Sequence, residues 1–97
     1  MDRIQGYIEA GKKEGANLAC GGKRIDRKGY FMESTSFTDV QDDLKIAREE
    51  IFGPVLSVFK FKDIPEVVKR ANDTQYGLAS VVITKDMERA IELSNAI

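Results

Sequence analysis

Val55-Leu56-Ser57-Val58-Phe59-Lys60-Phe61, followed by Lys62-Asp63-Ile64-Pro65-Glu66, decides the fold class of this chain. The first seven residues are rich in β-branched and aromatic side chains and read as a strand. Asp63 stands at an N-cap position with Glu66 three residues on, a capping box with Pro65 in the first turn. Ile64, Val67, Val68 and Ala71 then recur at i, i+3, i+4 and i+7, one apolar face of a helix that ends near Asn72-Asp73. Gly77 turns the chain into Leu78-Ala79-Ser80-Val81-Val82-Ile83, apolar on both faces as a covered parallel strand would be. Thr84 or Asp86 caps a last helix that would turn Met87, Ala90, Ile91 and Ile97 inward. Strand, helix, strand and helix make a βαβ unit with a right-handed crossover, so the fold class is α/β.

Upstream, residues 2 to about 14 read as a helix with Ile4, Tyr7 and Ile8 on one face and Gly15 just past its end. Lys12 and Lys13 fall in its last turn, where the helix dipole favours cations. A phosphate site there would need a Gly-rich cradle, and none accompanies them. Leu18-Ala19-Cys20-Gly21-Gly22 is a short strand running into a turn, with Cys20 read as a buried, inert thiol. Lys23 to Lys28 is a charged hairpin tip, and Gly29 to Phe37 is an extended strand. A polar run then leads to a short helical turn at Leu44 to Arg48.

Composition narrows the function classes. Among 97 residues, 42% are apolar and 32% charged, as in an ordinary folded domain. Fifteen basic against 16 acidic residues leave a net charge of −1, with no electrostatic case for nucleic acid or an anionic membrane. The longest apolar run, Leu78 to Ile83, is far short of the roughly 20 residues of a bilayer span. Met1-Asp2-Arg3 opens an amphipathic stretch, unlike a secretory signal. One cysteine forms no internal disulfide and suits a reducing, intracellular compartment, and histidine is absent. Asp42, Asp43, Glu49 and Glu50 are four carboxylates within nine residues, but they lack the alternation and central Gly of a calcium loop. No metal site is expected.

The chemistry-bearing stretch is Arg48-Glu49-Glu50-Ile51-Phe52-Gly53-Pro54-Val55. Pro54 suits the first residue of a strand, and Gly53 permits a sharp re-aiming of the chain before it. Glu50 and Phe52 would stand side by side at an element boundary, where binding groups concentrate. The plainer alternative is a solvated acidic loop followed by a buried Phe.

Glu49-Glu50-Ile51-Phe52-Gly53-Pro54-Val55 resembles a signature of the NAD(P)-dependent aldehyde dehydrogenase superfamily. Ile8 to Ala16 is similar to the family helix that precedes a Gly-Gly turn, here Gly21-Gly22. Gly29-Tyr30-Phe31, Asp42 to Arg48, Arg70 to Ala79 and Ile83-Thr84-Lys85-Asp86 follow in the family's order. The resemblance covers nearly the whole chain and is nearest to the cytosolic and mitochondrial tetrameric branch. It implies a three-layer-like segment of the catalytic domain, with a mixed or parallel sheet and flanking helices. Residues 1–97 would form one domain lacking the dinucleotide-binding domain and the catalytic-cysteine motif.

In the family, an upstream cysteine attacks the aldehyde, hydride passes to the nicotinamide, and an upstream glutamate activates water. The resemblance therefore implies no catalytic residue in these 97 positions and no aldehyde oxidation by this chain alone. It implies cofactor contacts at Glu50, toward the nicotinamide-ribose hydroxyls, and at Phe52, against that ribose and ring. Arg3 would match a basic residue near the adenosine ribose. NAD or NADP is the implied cofactor, with no tight binding to this chain in isolation. The implied partner is the remainder of a dehydrogenase subunit, in the cytoplasm or in mitochondria. The competing reading is a non-catalytic module that self-associates or binds a partner through open strand edges.

Overall fold

The computed structural model describes residues 1–97 and contains, in order, α1 (Asp2–Lys13), β1 (Asn17–Cys20), β2 (Thr35–Thr38), α2 (Lys45–Arg48), β3 (Val55–Ser57), α3 (Ile64–Asn72) and α4 (Met87–Ala96). They divide between two compact units, Met1–Lys60 and Phe61–Ile97.

In the first unit, α1 stops as its sequence requires. Gly15 takes φ +92, its N–H donates to the Lys12 carbonyl, and the Ala16 N–H donates to the Gly11 carbonyl. This pair of bonds is a Schellman closure, which only a residue at ease in the left-handed region completes without strain. It returns the chain into β1. The three strands form a mixed sheet in the order β1-β2-β3, with β1 antiparallel and β3 parallel to β2. Thr35 pairs with Val55, Ser36 with Leu56 and Phe37 with Ser57, and α2 lies in the connection between β2 and β3.

The core lies between α1, α2 and this sheet. Phe37 and Ile8 are fully buried, surrounded by Ala16, Val40, Leu44, Ile46 and Ile51. Burying each such side chain contributes about 1.5–3 kcal/mol. A Cβ at Gly11 would sit 3.0 Å from the Phe37 ring, so the missing side chain lets helix and sheet approach. Thr35 is the buried polar residue, and its hydroxyl is satisfied twice. It accepts from the Gly22 N–H at 2.8 Å and donates to the Glu33 carbonyl at 3.0 Å.

In the second unit, α3 begins at its expected cap. The Glu66 N–H donates to Asp63 Oδ1 at 2.9 Å, and Glu66 Oε2 reaches back to the Lys62 N–H at 2.8 Å. Asp86 caps α4 by accepting from the Arg89 N–H at 3.2 Å, while Thr84 accepts from the Asp86 N–H. Asn72 Nδ2 donates to the Ala96 carbonyl at 2.8 Å, joining the end of α3 to the end of α4.

Four expectations are corrected. The parallel crossover joins β2 to β3 through α2, and Leu78 to Ile83 enters no sheet. Leu78, Val81 and Ile83 are 101%, 84% and 94% exposed, because a strand forms only against a partner's backbone groups and nothing in the sheet pairs with this run. The strands expected over 29–37 and 55–61 shrink to β2 and β3, where pairing holds them. In α4, Leu93 is the buried residue, whereas Met87, Ile91 and Ile97 are exposed; in α3, Ala71 is exposed. Cys20 is exposed rather than buried. It closes β1 beside an irregularity in the β1–β2 register, and its Sγ lies 3.8 Å from the Ser34 carbonyl oxygen.

Candidate functional site

The residues between α2 and β3 form a short connection, Glu49 to Pro54, that alternates sharply between the interior and solvent. Ile51 is buried in the core, while Glu50 is exposed and Phe52 is 82% exposed. Phe52 therefore leaves an apolar ring in water, two residues from an exposed carboxylate. The plainer reading, in which Phe52 is buried, does not describe this chain.

Phe52 also sits at φ +57, in the left-handed region. Asp39, at φ +53, shares that region, but aspartate tolerates it through its short polar side chain. A phenylalanine there is strained by about 1–3 kcal/mol and persists only where its surroundings over-determine it.

Helix α1 supplies those surroundings. The Arg3 guanidinium donates from Nη2 to the Glu50 carbonyl at 2.6 Å and from Nη1 to the Ile51 carbonyl. The Tyr7 hydroxyl donates to Glu49 Oε2 at 2.8 Å. Between them, a Cβ at Gly53 would meet Ile4 Cδ1 at 2.6 Å, so the glycine lies directly against that side chain. Arg3 and Tyr7 are four residues apart and share a helix face. The Arg3 guanidinium carbon and Lys45 Nζ each stand 5.1 Å from the centre of the Tyr7 ring. The bond to Glu49 raises the Tyr7 phenol above the ordinary tyrosine range, because phenolate would face a carboxylate; desolvation adds to this, and Arg3 opposes it.

Glu50 and Phe52 are thus both exposed, two residues apart in one short connection, and the Arg3 guanidinium holds the backbone carbonyls of Glu50 and Ile51. The Glu50 carboxylate has no hydrogen-bond or ion-pair partner within the chain. Asp42, Asp43, Glu49 and Glu50 do not converge, and no three His, Cys, Asp or Glu side chains lie together as a metal site would need. The Tyr7–Glu49 and Arg3–carbonyl contacts were not legible in the sequence. The one signal for them was a polar residue and a phenol flanking Ile4 on the apolar face of α1.

The family model for the aldehyde dehydrogenase family matches residues 1–97, the whole chain. The chain belongs to the aldehyde dehydrogenase family. It is 55% identical to an aldehyde dehydrogenase of Enchytraeus buchholzi over 97 residues, 100% of this chain and 20% of that protein. It is 57% identical to a rat protein named aldehyde dehydrogenase, cytosolic 1, over 98% of this chain and 19% of that one. The fold superposes on the NAD+ complex of a Bacillus cereus aldehyde dehydrogenase with a TM-score of 0.95 and 49% identity, over 99% of this chain and 20% of that one. A Mycobacterium tuberculosis aldehyde dehydrogenase complexed with NAD+ gives a TM-score of 0.95 at 43% identity, again over 99% and 20%. The chain therefore spans about a fifth of the length of these aldehyde dehydrogenases. No helix in it is long and apolar enough to cross a membrane.

Proposed function

We propose that this chain is a part of the catalytic domain of an NAD(P)-dependent aldehyde dehydrogenase and supplies its nicotinamide-ribose side. The observation that carries this reading is the exposure of both Glu50 and Phe52 on a chain that matches the family throughout. Glu50 accepts hydrogen bonds from the two ribose hydroxyls, a pairing in which the charged acceptor strengthens each bond. Phe52 packs its ring beside that ribose and limits which face of the nicotinamide meets the substrate. Arg3 borders the same surface and fixes the backbone beneath it. The nicotinamide, when bound, accepts the hydride removed from the substrate. The NAD+ complexes of the B. cereus and M. tuberculosis proteins favour NAD as the cofactor, with NADP the alternative.

This chain contributes no nucleophile and no oxyanion donor, groups whose loss costs orders of magnitude in rate. It is expected not to oxidise aldehydes by itself. Each hydrogen bond to a charged group nets about 1.5–3 kcal/mol, so two contacts barely offset the ordering cost of association. Affinity for NAD should be millimolar or weaker. The remainder of the subunit is the proposed partner, in the cytosol, by analogy with the relatives named cytosolic. Self-association is the second reading, favoured by the exposed run at Leu78, Val81 and Ile83.

Amide NMR of the labelled chain with millimolar NAD tests the reading. Shifts confined to Glu50–Gly53 are expected, with no NADH formed when an aldehyde is added. Unperturbed signals at Glu50–Gly53 would remove the nicotinamide assignment, and turnover above background would overturn the claim of inactivity.

A further inference from the structure

We infer that Tyr7 and Arg3 are positioning residues that hold Glu49–Gly53 in the backbone arrangement that turns the Glu50 carboxylate and the Phe52 ring out to solvent. The inference rests on the proposed nicotinamide-ribose reading for its purpose, though not for its geometry.

Phe52 keeps φ +57 although its exposed side chain buries too little to hold it there. The holding contacts must therefore come from its neighbours, and three are present on either side of it. Arg3 takes the carbonyls of Glu50 and Ile51, Ile4 abuts Gly53, and Tyr7 takes the Glu49 carboxylate. All three grips come from the first two turns of α1, so the loop is referenced to a rigid element. The carbonyls are fixed by a planar fork that a lysine ammonium cannot reproduce. The arrangement leaves the Glu50 carboxylate and the Phe52 ring, alone among the loop's large side chains, committed to nothing in the chain.

The Tyr7 grip works in one protonation state only. The groups facing it are Glu49 from the loop, Arg3 from α1 and Lys45 from α2. Loss of the phenolic proton removes the donor and puts phenolate opposite the Glu49 carboxylate. The tether becomes a repulsion that the Arg3 guanidinium only moderates. Positioning of Phe52 should therefore fail in alkali, above the ordinary tyrosine range of about pH 10.

The test is 13C NMR of the 97-residue chain as wild type, Y7F, R3K and R3M, each titrated from about pH 7 to about pH 11.5. The Phe52 13Cα shift reports its φ, and core signals from Ile8 and Phe37 report whether a variant is folded. In the wild type, the Phe52 shift should hold its left-handed value at neutral pH and move toward the extended value as Tyr7 ionises. Y7F should start displaced and stay flat through the alkaline limb. R3M should be displaced further than R3K, which can reach one carbonyl at a time. A Phe52 shift unchanged in both Y7F and R3M, or an alkaline transition that survives in Y7F, would overturn the inference. Should a variant unfold, the wild-type titration against its own Tyr7 signal decides the question without substitution.

NADH, which survives alkali, separates this inference from the reading it serves. NADH-induced shifts at Glu50–Gly53 that are lost in Y7F and R3M support both. Shifts equal in all four chains leave the cofactor reading standing and overturn the positioning role. A Phe52 conformation that follows Tyr7 while NADH perturbs nothing leaves the clamp standing and overturns the cofactor reading.

Discussion

At the scale of single residues, the chain spends stability where it presents chemistry. Phe52 is an exposed aromatic held at φ +57. Replacing it with asparagine, which tolerates that region, should raise unfolding stability by about 1 kcal/mol, read from chemical denaturation, while abolishing NAD-induced shifts. A fall in stability would mean that the ring contributes more contact than its exposure indicates. Gly21 is the opposite case, a residue whose missing Cβ is structural. It sits at φ +73, and a Cβ would lie 2.2 Å from the Ser34 backbone carbonyl oxygen. Gly21→Ala should cost about 3 kcal/mol, because neither the conformation nor the backbone neighbour can yield cheaply. Glu50 and Phe52 were legible as candidates because they lie just before a Gly-Pro stop, in a stretch that resembles a family signature. Arg3 and Tyr7 act across 47 and 42 residues of sequence on Glu50 and Glu49, a distance at which no periodicity carries information.

The same division between local and distant causes governs the elements. The bounds of α1, α3 and α4 follow from caps and closures that are contained in a few consecutive residues. The Asp63 side chain and the Glu66 N–H illustrate this, and Asp63→Ala should lower the stability of α3 by about 1 kcal/mol, measured as earlier loss of helical amide protection across 64–72. Retained protection would mean that the Arg70–Glu66 ion pair, at 3.2 Å, and packing suffice without the cap. Strands are less legible, since their existence depends on a partner that the strand's own residues do not name. Val55 to Ser57 is a strand because Thr35 to Phe37 offers its backbone, whereas Leu78 to Ile83, with stronger β propensity, finds no such partner. The sequence pattern thus indicated a βαβ unit correctly as a motif and misplaced it by one element. The four-residue α2, too short to stand out by periodicity, lies in the parallel connection that was expected of α3.

At the scale of the whole molecule, the exposed run from Leu78 to Ile83 has a thermodynamic consequence that can be measured. Side chains that are 94–101% exposed contribute no burial to the folded chain, so removing them should not weaken it. They do present apolar surface to anything that can cover it, whether the rest of a dehydrogenase subunit or a second copy of this chain. Substituting Leu78 and Ile83 together with serine should leave the unfolding free energy unchanged within about 0.5 kcal/mol, the range of ordinary surface changes. The same substitutions should reduce concentration-dependent association in sedimentation equilibrium. An unfolding free energy lowered by more than about 1 kcal/mol would show that these side chains are covered within the chain itself. Unchanged association would move the sticky surface elsewhere, and Leu56, 59% exposed on β3, is the next site to substitute, because an uncovered strand can recruit another backbone. The two outcomes bear differently on function. Association lost with Leu78 and Ile83 assigns the stickiness to this run, in the unit that does not carry the Glu50 strip. Association lost with Leu56 instead assigns the stickiness to β3, the strand that follows directly from Phe52-Gly53-Pro54, so that assembly and the presentation of the Glu50 strip would be physically linked.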